Sequence, residues 1–446
     1  MERNIAAIST ALGVGGVAII RISGESPLDI AERMFKPLGK TEVKDFEPYK
    51  MYVGEIYGEG FTDFGMCVFF KGPKSYTGED MVEFHCHGGI AISTGILKKA
   101  FALGARPATN GEFTKRAFMN GKMSLSSCEG LIDMINGESV SGVKAGYYLY
   151  REKLTEKIKY LQSRLTYALA FLDVGIDYPE EGVVEDNTEE VIAAVEEVRE
   201  EIKKLLSGYG KGRIIKHGVK VSLIGKPNTG KSSILNRLLD YDKAIVSPVA
   251  GTTRDAVEGQ IDIDGIRFNL YDTAGIHGTG DGIESVGIEM SKKLTYGSDV
   301  CIVVIDGSSP LDKDDEEVLS CSKDMTRIIV ANKSDKGIKC GVNFDIAVSA
   351  VSGENIEELK RKLFDVTCGA NIYTGGDMLT EERHYNSLKE AELSLSDGIE
   401  GFKAGNTPDF VALDIKSAWD SLGEVSGETA SEKIIDEIFA KFCVGK

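Results

Sequence analysis

The sequence predicts a multidomain α/β protein: an α+β unit first, then an all-α domain into which a phosphate-loop domain with a doubly wound sheet is inserted. Three observations carry this. Residues 217–370 alternate apolar runs with helical stretches and hold the loop GKPNTGKSS; helical periodicity lies on both sides of that stretch; and residues 1–120 are short alternating runs cut by Gly and Pro. A chain of 446 residues also exceeds what one hydrophobic core supports.

Taken in order, VAIIRIS (Val17–Ser23), MYVGEIY (Met51–Tyr57), FGMCVFF (Phe64–Phe70) and MVEFHCH (Met81–His87) read as strands, with helices over Pro27–Phe35 and Ile90–Leu103. They make residues 1–120 one mixed unit. From Ser124 the texture turns helical, and Leu154, Ile158, Leu161, Leu165, Leu169 and Leu172 recur at three- and four-residue steps. GIDYPEEGVVEDN, with Pro179 and its acidic run, reads as a loop; EEVIAAVEEVREEIKKLLSGYG resumes the helix, and Gly208 and Gly210 mark its end. Residues 121–216 are thus the first part of a helical domain. VKVSLIG, IRFNLYDTAG, DVCIVVID, TRIIVANKSD and FDIAVSA follow as buried parallel strands of the inserted domain, 217–370. Helices return over 371–446 and complete the helical domain.

Composition bounds the function. No apolar run approaches the roughly 20 residues that span a bilayer, and MERNIAAIST lacks the basic-then-apolar layout of a secretory signal, so a cytoplasmic protein without a membrane segment is expected. Eight cysteines without a C-x-x-C pair exclude a disulfide scaffold and fit a reducing compartment. The net charge is −18, and residues 1–120 are balanced, so the whole deficit lies in 121–446. Global attraction to a nucleic-acid backbone is excluded, and any RNA contact must use local basic patches.

The motifs carry the chemistry. Gly225-x4-Gly230-Lys231-Ser232 lies between a strand and a helix, where backbone N–H groups can converge on phosphates, Lys231 can reach the β- and γ-phosphates, and Ser232 can hold Mg²⁺. DTAG (Asp272–Gly275) follows a strand: Asp272 can hold Mg²⁺ through water and the Gly275 amide can sense the γ-phosphate. In NKSD (Asn332–Asp335) the carboxylate of Asp335 can accept from guanine N1–H and the 2-amino group, which adenine cannot satisfy. Ser349-Ala350 fits the segment whose backbone meets the guanine oxygen. Four motifs in this order predict a GTP site. GTTRD (Gly251–Asp255) supplies Thr253 as a second Mg²⁺ ligand, with Arg254 a minor candidate for an arginine finger. Ile276 occupies the place of the water-orienting glutamine of Ras-like proteins, so another group must do that work; Asp281, Glu284 and Glu289 all qualify by position. His85-Cys86-His87 can offer at most two same-face ligands from one strand, which argues against a metal site.

With these residues on the page, the chain resembles the TrmE/Era-like family of tRNA-modification GTPases over essentially its whole length. The resemblance rests on GKPNTGKSS, IVSPVAGTTRD, DTAGIHGTGDGIESVGIE, NKSD, the N-terminal RIS and GEDMVEFHCHGG, and the closing CVGK. It implies nucleotide contacts from Asn228, Thr229, Gly230, Lys231, Ser232 and Ser233, from Ser247, Pro248, Val249, Ala250, Gly251, Thr252 and Thr253, from Asp272, Thr273, Ala274 and Gly275, and from Asn332, Lys333, Ser334, Asp335, Ser349, Ala350 and Val351. It implies Mg²⁺ on Ser232 and Thr253, a potassium ion held by Asn228 with Ser247, Val249 and Thr252 in place of an arginine finger, and Glu284 as the catalytic glutamate that orients or activates the water. The first unit would then bind 5-formyltetrahydrofolate or a related tetrahydrofolate through Arg21, Glu83, Lys122 and Lys446, and Cys443 is a candidate thiol. His277–Gly282 (HGTGDG) is glycine-rich where relatives often carry charged residues.

The implied activity is a potassium-activated GTPase, homodimeric, working with a flavoprotein partner (MnmG, also GidA) that uses FAD and NADH, in a heterotetramer-type complex. The pair would add an aminomethyl or carboxymethylaminomethyl group at carbon 5 of the wobble uridine, position 34, of certain tRNAs. Two other readings compete. A ribosome-assembly switch would want a basic appendage, and 371–446 offers none; a self-sufficient folate-dependent transferase would need no flavoprotein.

Overall fold

The computed structural model describes residues 4–178, 183–240, 259–272, 297–369 and 378–446. They fall into two compact units, one of Met1–Ile132, Tyr148–Glu200 and Ser387–Lys446, the other of Asp133–Tyr147 and Glu201–Asn386.

The first unit begins with a seven-stranded sheet: β1 (Ile5–Ile8), β2 (Gly15–Gly24), β3 (Phe35–Pro37), β4 (Met51–Tyr57), β5 (Thr62–Phe70), β6 (Asp80–Gly88) and β7 (Arg106–Pro107). Their order is β3-β4-β5-β6-β2-β1-β7. All four strands read from the sequence are present. The helix expected over Pro27–Phe35 stops at Glu32 instead. Phe35 leaves it to pack edge-on against Phe46 and beside Phe84, and Pro37 could not have continued a helix. Strands β1 and β7 escaped notice because IAAI and a two-residue bridge are too short to show a period.

One face of this sheet buries Ile20, Ile22, Val82, Phe84 and Cys86 against Ile30, Ile96 and Ala100 of the helices Pro27–Glu32 and Ile90–Ala102. Side chains alternate along a strand, so Arg21, Glu83 and His85 stand on the other face, with Arg21 directly opposite Glu83. In the helical portion, Lys153–Asp177 buries Leu154, Ile158, Leu161, Leu165 and Leu172. Pro408–Ser426 offers Val411, Ile415, Ala418 and Leu422, and Gln162 Nε2 donates to the Trp419 carbonyl at 3.1 Å.

In the second unit, β8 (Val219–Ile224), β9 (Gly259–Ile263), β10 (Ile266–Asp272), β11 (Val300–Asp306), β12 (Arg327–Asn332) and β13 (Ile346–Ala347) run in the order β13-β12-β11-β8-β10-β9. All pairs are parallel except β9 with β10. That hairpin was not anticipated, although its two-residue turn, Asp264-Gly265 at φ 50 and 79, is a strong short-range hairpin signal. Helices Lys231–Asp240 and Ile356–Cys368 cover the sheet, burying Ile234, Leu238, Leu359 and Leu363 against Val221, Leu270, Val304 and Val330.

The helix Val183–His217 runs through Gly208 and Gly210, where an end was expected. Each interior glycine costs about 1 kcal/mol. Burial of Ile215 beyond them, worth about 1.5–3 kcal/mol, offsets the two together, and Gly212 lets the helix lie directly on the Leu379 backbone.

Candidate functional site

The phosphate loop opens at the C-terminal end of β8, which lies between β11 and β10, and closes where the helix Lys231–Asp240 begins. Asn228 (φ 65) and Gly230 (φ 94) turn the chain through the left-handed region, and any side chain at Gly230 would strike Asn332 Nδ2. Lys231, only 6% exposed, donates from Nζ to the carbonyls of Gly225 at 2.8 Å and Lys226 at 3.0 Å. Burial pulls its ammonium below the usual lysine range, against the opposing charge of Asp272. An ammonium desolvated this way and held only by neutral carbonyls is suited to an anionic ligand. Ser232 Oγ donates to Asp272 Oδ2 at 2.7 Å, so a hydroxyl and a carboxylate stand together at the end of β10. That oxygen pair has the chemistry magnesium takes beside a phosphate.

Asn332 ties the predicted base-binding segments to the loop. Its Nδ2 donates to the Thr229 carbonyl at 2.9 Å, and its Oδ1 accepts from the Ala350 N–H at 3.1 Å. Lys333, at φ 66, donates to the Asn228 carbonyl at 2.9 Å and to Asp306 Oδ2 at 2.6 Å. Burial works to raise the Asp306 carboxyl, but its bonds to Lys333 and Ser308 outweigh it and hold the group at about 2. Ser349 Oγ donates to Asp335 Oδ1 at 2.6 Å, which fixes the plane of that carboxylate, and Ser334 Oγ donates to Glu354 at 2.9 Å. Arg237 holds the Ala350 and Val351 carbonyls. Four sequence motifs therefore meet in one hydrogen-bonded assembly.

Sequence reasoning missed the brace behind the loop. Lys226 Nζ reaches Asp312 Oδ2 and Asp315 Oδ2, each at 2.7 Å, and these two acids form the capping box of the helix Lys313–Cys321. The D-x-x-D spacing just before that helix was a readable signal for the cap, though not for its lysine.

The N-terminal candidates form a second cluster. Arg21 Nε donates to Glu83 Oε1 at 2.8 Å, and His85 Nε2 lies 3.4 Å from Glu83 Oε2. Burial would raise the Glu83 carboxyl, but its neighbours His85 and Arg21 prevail and keep it below the usual range. The Arg21 guanidinium lies over the rings of Tyr76 and Phe113, at 5.1 and 5.6 Å. Its NH1 also reaches the Gly445 carbonyl at 3.5 Å, so the C-terminal tail closes on this cluster. Val444 bridges to Asn110, the Cys443 carbonyl accepts from the Gly111 N–H, and Gly445 (φ 97) lies against the Ile8 backbone where a side chain would collide. Lys446 is half-buried beside this tail and Cys443 is exposed. Lys122 sits apart from Arg21, on the loop 73–78: its Nζ donates to the Pro73 carbonyl at 2.7 Å and its stem flanks Gly78. Of the histidine–cysteine triplet, Cys86 is buried on the core face and His87 pairs with Asp63 at 2.7 Å.

Ser247, Pro248, Val249, Ala250, Gly251, Thr252, Thr253, Thr273, Ala274, Gly275 and Glu284 lie outside the described residues, as do Arg254, Ile276, Asp281 and Glu289. Asn228 is the one proposed potassium ligand among the described residues. No helix among the described residues is long and apolar enough to cross a membrane.

Two family profiles match the chain: "GTP-binding protein TrmE N-terminus" over residues 4–122 and "MnmE helical domain" over 125–443. The curated protein "tRNA modification GTPase MnmE" of Clostridioides difficile is 37% identical over 457 aligned positions, covering 100% of both chains. The protein of the same name from Natranaerobius thermophilus is 36% identical, again over 100% of both. Among solved structures, Era in complex with MgGDPNP and a 16S ribosomal RNA fragment is 25% identical over 40% of this chain and 66% of that one, at a TM-score of 0.27, too low to carry an argument. By full-length identity, and by profiles matching both the N-terminal unit and the rest of the chain, this protein belongs to the MnmE family of tRNA modification GTPases.

Proposed function

We propose that the chain is a potassium-activated GTPase that works with a flavoprotein partner of the MnmG type to install an aminomethyl or carboxymethylaminomethyl group at carbon 5 of the wobble uridine, position 34, of certain tRNAs. The observation that supports this most is the pairing of a preassembled phosphate loop, tied by Asn332 to the base-binding segments, with a separate Arg21–Glu83 cluster closed by the C-terminal tail.

At the nucleotide, Lys231 exchanges its loop carbonyls for phosphate oxygens and Ser232 turns from Asp272 toward the metal. Mg²⁺ and K⁺, when bound, would supply positive charge against the negative charge that develops on the phosphate oxygens during hydrolysis. Magnesium falls to Ser232 and Thr253, potassium to Asn228, Ser247, Val249 and Thr252, and Glu284 orients the water. Asp335, aligned by Ser349, selects guanine. At the second cluster, Glu83 suits the 2-amino and ring N–H edge of a pterin, and Arg21, Lys122 and Lys446 suit carboxylates; a bound tetrahydrofolate supplies the one-carbon unit. The partner brings FAD and NADH. In a homodimer facing across the nucleotides, turnover would order the composite site. The domain division 1–120, 121–216, 217–370 and 371–446 belongs to the same proposal.

The test is reconstitution: wobble-uridine modification is measured with this chain alone, with the flavoprotein alone and with both, in KCl and in NaCl. Modification requiring both proteins, GTP and potassium is expected. Full modification by this chain alone would contradict the composite site.

A further inference from the structure

We propose that a cavity beside Lys122 and Arg151 receives the γ-glutamyl carboxylates that extend a folate's tail, so that the protein favours polyglutamylated folate over the monoglutamate. The proposal rests on the folate reading above and names the form of the ligand. The cavity, about 270 Å³, is lined by Lys122, Met123, Ser127, Tyr150, Arg151 and Glu152. A single water needs roughly 10–15 Å³ on a comparable measure, so this space holds a ligand of many atoms.

Its charges are left for a ligand. Glu152, the one acid in the wall, is engaged: its carboxylate accepts from the Ser124 N–H at 2.9 Å. Lys122 meets a neutral acceptor, the Pro73 carbonyl, and no carboxylate among the described residues. The exposed side chain of Arg151 has no ion pair or hydrogen bond among the described residues, and neither has the side chain of Lys74, next in the chain to Pro73. Two cations, Lys122 and Arg151, thus line a space whose one acid is committed.

Its position fits a tail. Lys122 sits on the 73–78 loop, and that loop carries Tyr76, whose ring lies over Arg21, the partner of Glu83. Folate is elongated, with its glutamates at the end opposite the pterin. A pterin edge at Glu83 therefore leaves the tail to run past Tyr76 toward Lys122 and Arg151. An RNA backbone would call for an extended basic stripe rather than two cations at one cavity.

The experiment is equilibrium binding of 5-formyltetrahydrofolate, as monoglutamate and as triglutamate, to the full chain and to Arg151→Ala and Arg151→Lys. Wild type is expected to bind the triglutamate roughly tenfold more tightly, the size of one or two charge-assisted contacts at a partly open site. Arg151→Ala should bring the two forms within about twofold, and Arg151→Lys should restore part of the difference. The unfolding midpoint followed by Trp419 fluorescence, in the same unit, verifies that the variants fold. Equal affinities in wild type would overturn the tail site and leave the folate reading standing; failure of both forms to bind removes both. A preference that survives in Arg151→Ala while tRNA affinity falls would assign the cations to RNA phosphate and also overturn the proposal.

Discussion

Replacing Asn332 by alanine removes the link on which the nucleotide site depends. The side chain is 2% exposed and makes two hydrogen bonds, donating to the Thr229 carbonyl and accepting from the Ala350 N–H. Thr229 is fully buried and Ala350 nearly so. Each bond contributes about 1 kcal/mol net, and each stranded partner costs about 1–3 kcal/mol more if water cannot reach it. Partial relaxation leaves about 2–4 kcal/mol, or roughly 30-fold to 1,000-fold in GDP affinity, because the loop and the 349–351 segment are no longer held in register. GDP titration, with far-UV circular dichroism to verify the fold, measures it. Asn332→Asp is the companion: it keeps the acceptor for Ala350 but points a carboxylate at the Thr229 carbonyl, and should bind as weakly as alanine. An Asn332→Ala protein with GDP affinity within twofold of wild type would refute the argument that this side chain assembles the site.

Three other outcomes follow from neighbouring contacts. Asp335→Asn replaces one carboxylate oxygen by an NH₂, so the guanine 2-amino group loses its acceptor and faces a donor; GDP affinity should fall about 100-fold while xanthosine diphosphate, whose 2-oxo group accepts a hydrogen bond from that NH₂, gains; competition titration decides. Lys226→Met unpins the loop from Asp312 and Asp315 and should weaken GDP binding roughly threefold to tenfold, where an unchanged affinity would make the brace irrelevant to the nucleotide. In the second unit, Asp133 and Glu381 share Lys216; burial and the charge of Glu381 push the Asp133 carboxyl well above the usual carboxylate range despite that lysine. The stability this site contributes is complete below the unfolded value of about 4 and is lost as pH rises through the raised folded value. Denaturation curves at pH 5 and pH 8 should therefore show wild type losing stability relative to Asp133→Asn on going to the higher pH, and parallel behaviour would exclude the shift.

Strands of both sheets were legible where long apolar or alternating runs stood out, as in MYVGEIY, which is β4 end to end, but not in the short β9, GQIDI. IAAI was too short to be seen, and Phe35 was misassigned because ring packing on Phe46 and Phe84 overrides the local helical pattern. Gly208 and Gly210 misled for a related reason: a glycine penalty is local, whereas the burial that carries the helix past it is tertiary. At the site, Lys231, Ser232, Asp272, Asn332 and Asp335 could be named because phosphate and guanine chemistry dictate residue types at fixed spacings. Lys226, Asp306 and Ser349 as braces could not, since each works through a partner 14 to 89 positions away along the chain. Arg21 and Glu83 could be named only through the family resemblance, since the sequence does not show the register that sets them opposite one another.

The central claim is that residues 225–232 enclose the phosphates of a nucleotide whose base is chosen at Asp335. Titration of the folded full-length chain with fluorescent GDP and ADP, in KCl with Mg²⁺, tests it most directly. Saturable GDP binding at least about 100-fold tighter than ADP, and lost in Lys231→Ala, is the expected result. Equal affinity for the two diphosphates, or no binding of either, would contradict it.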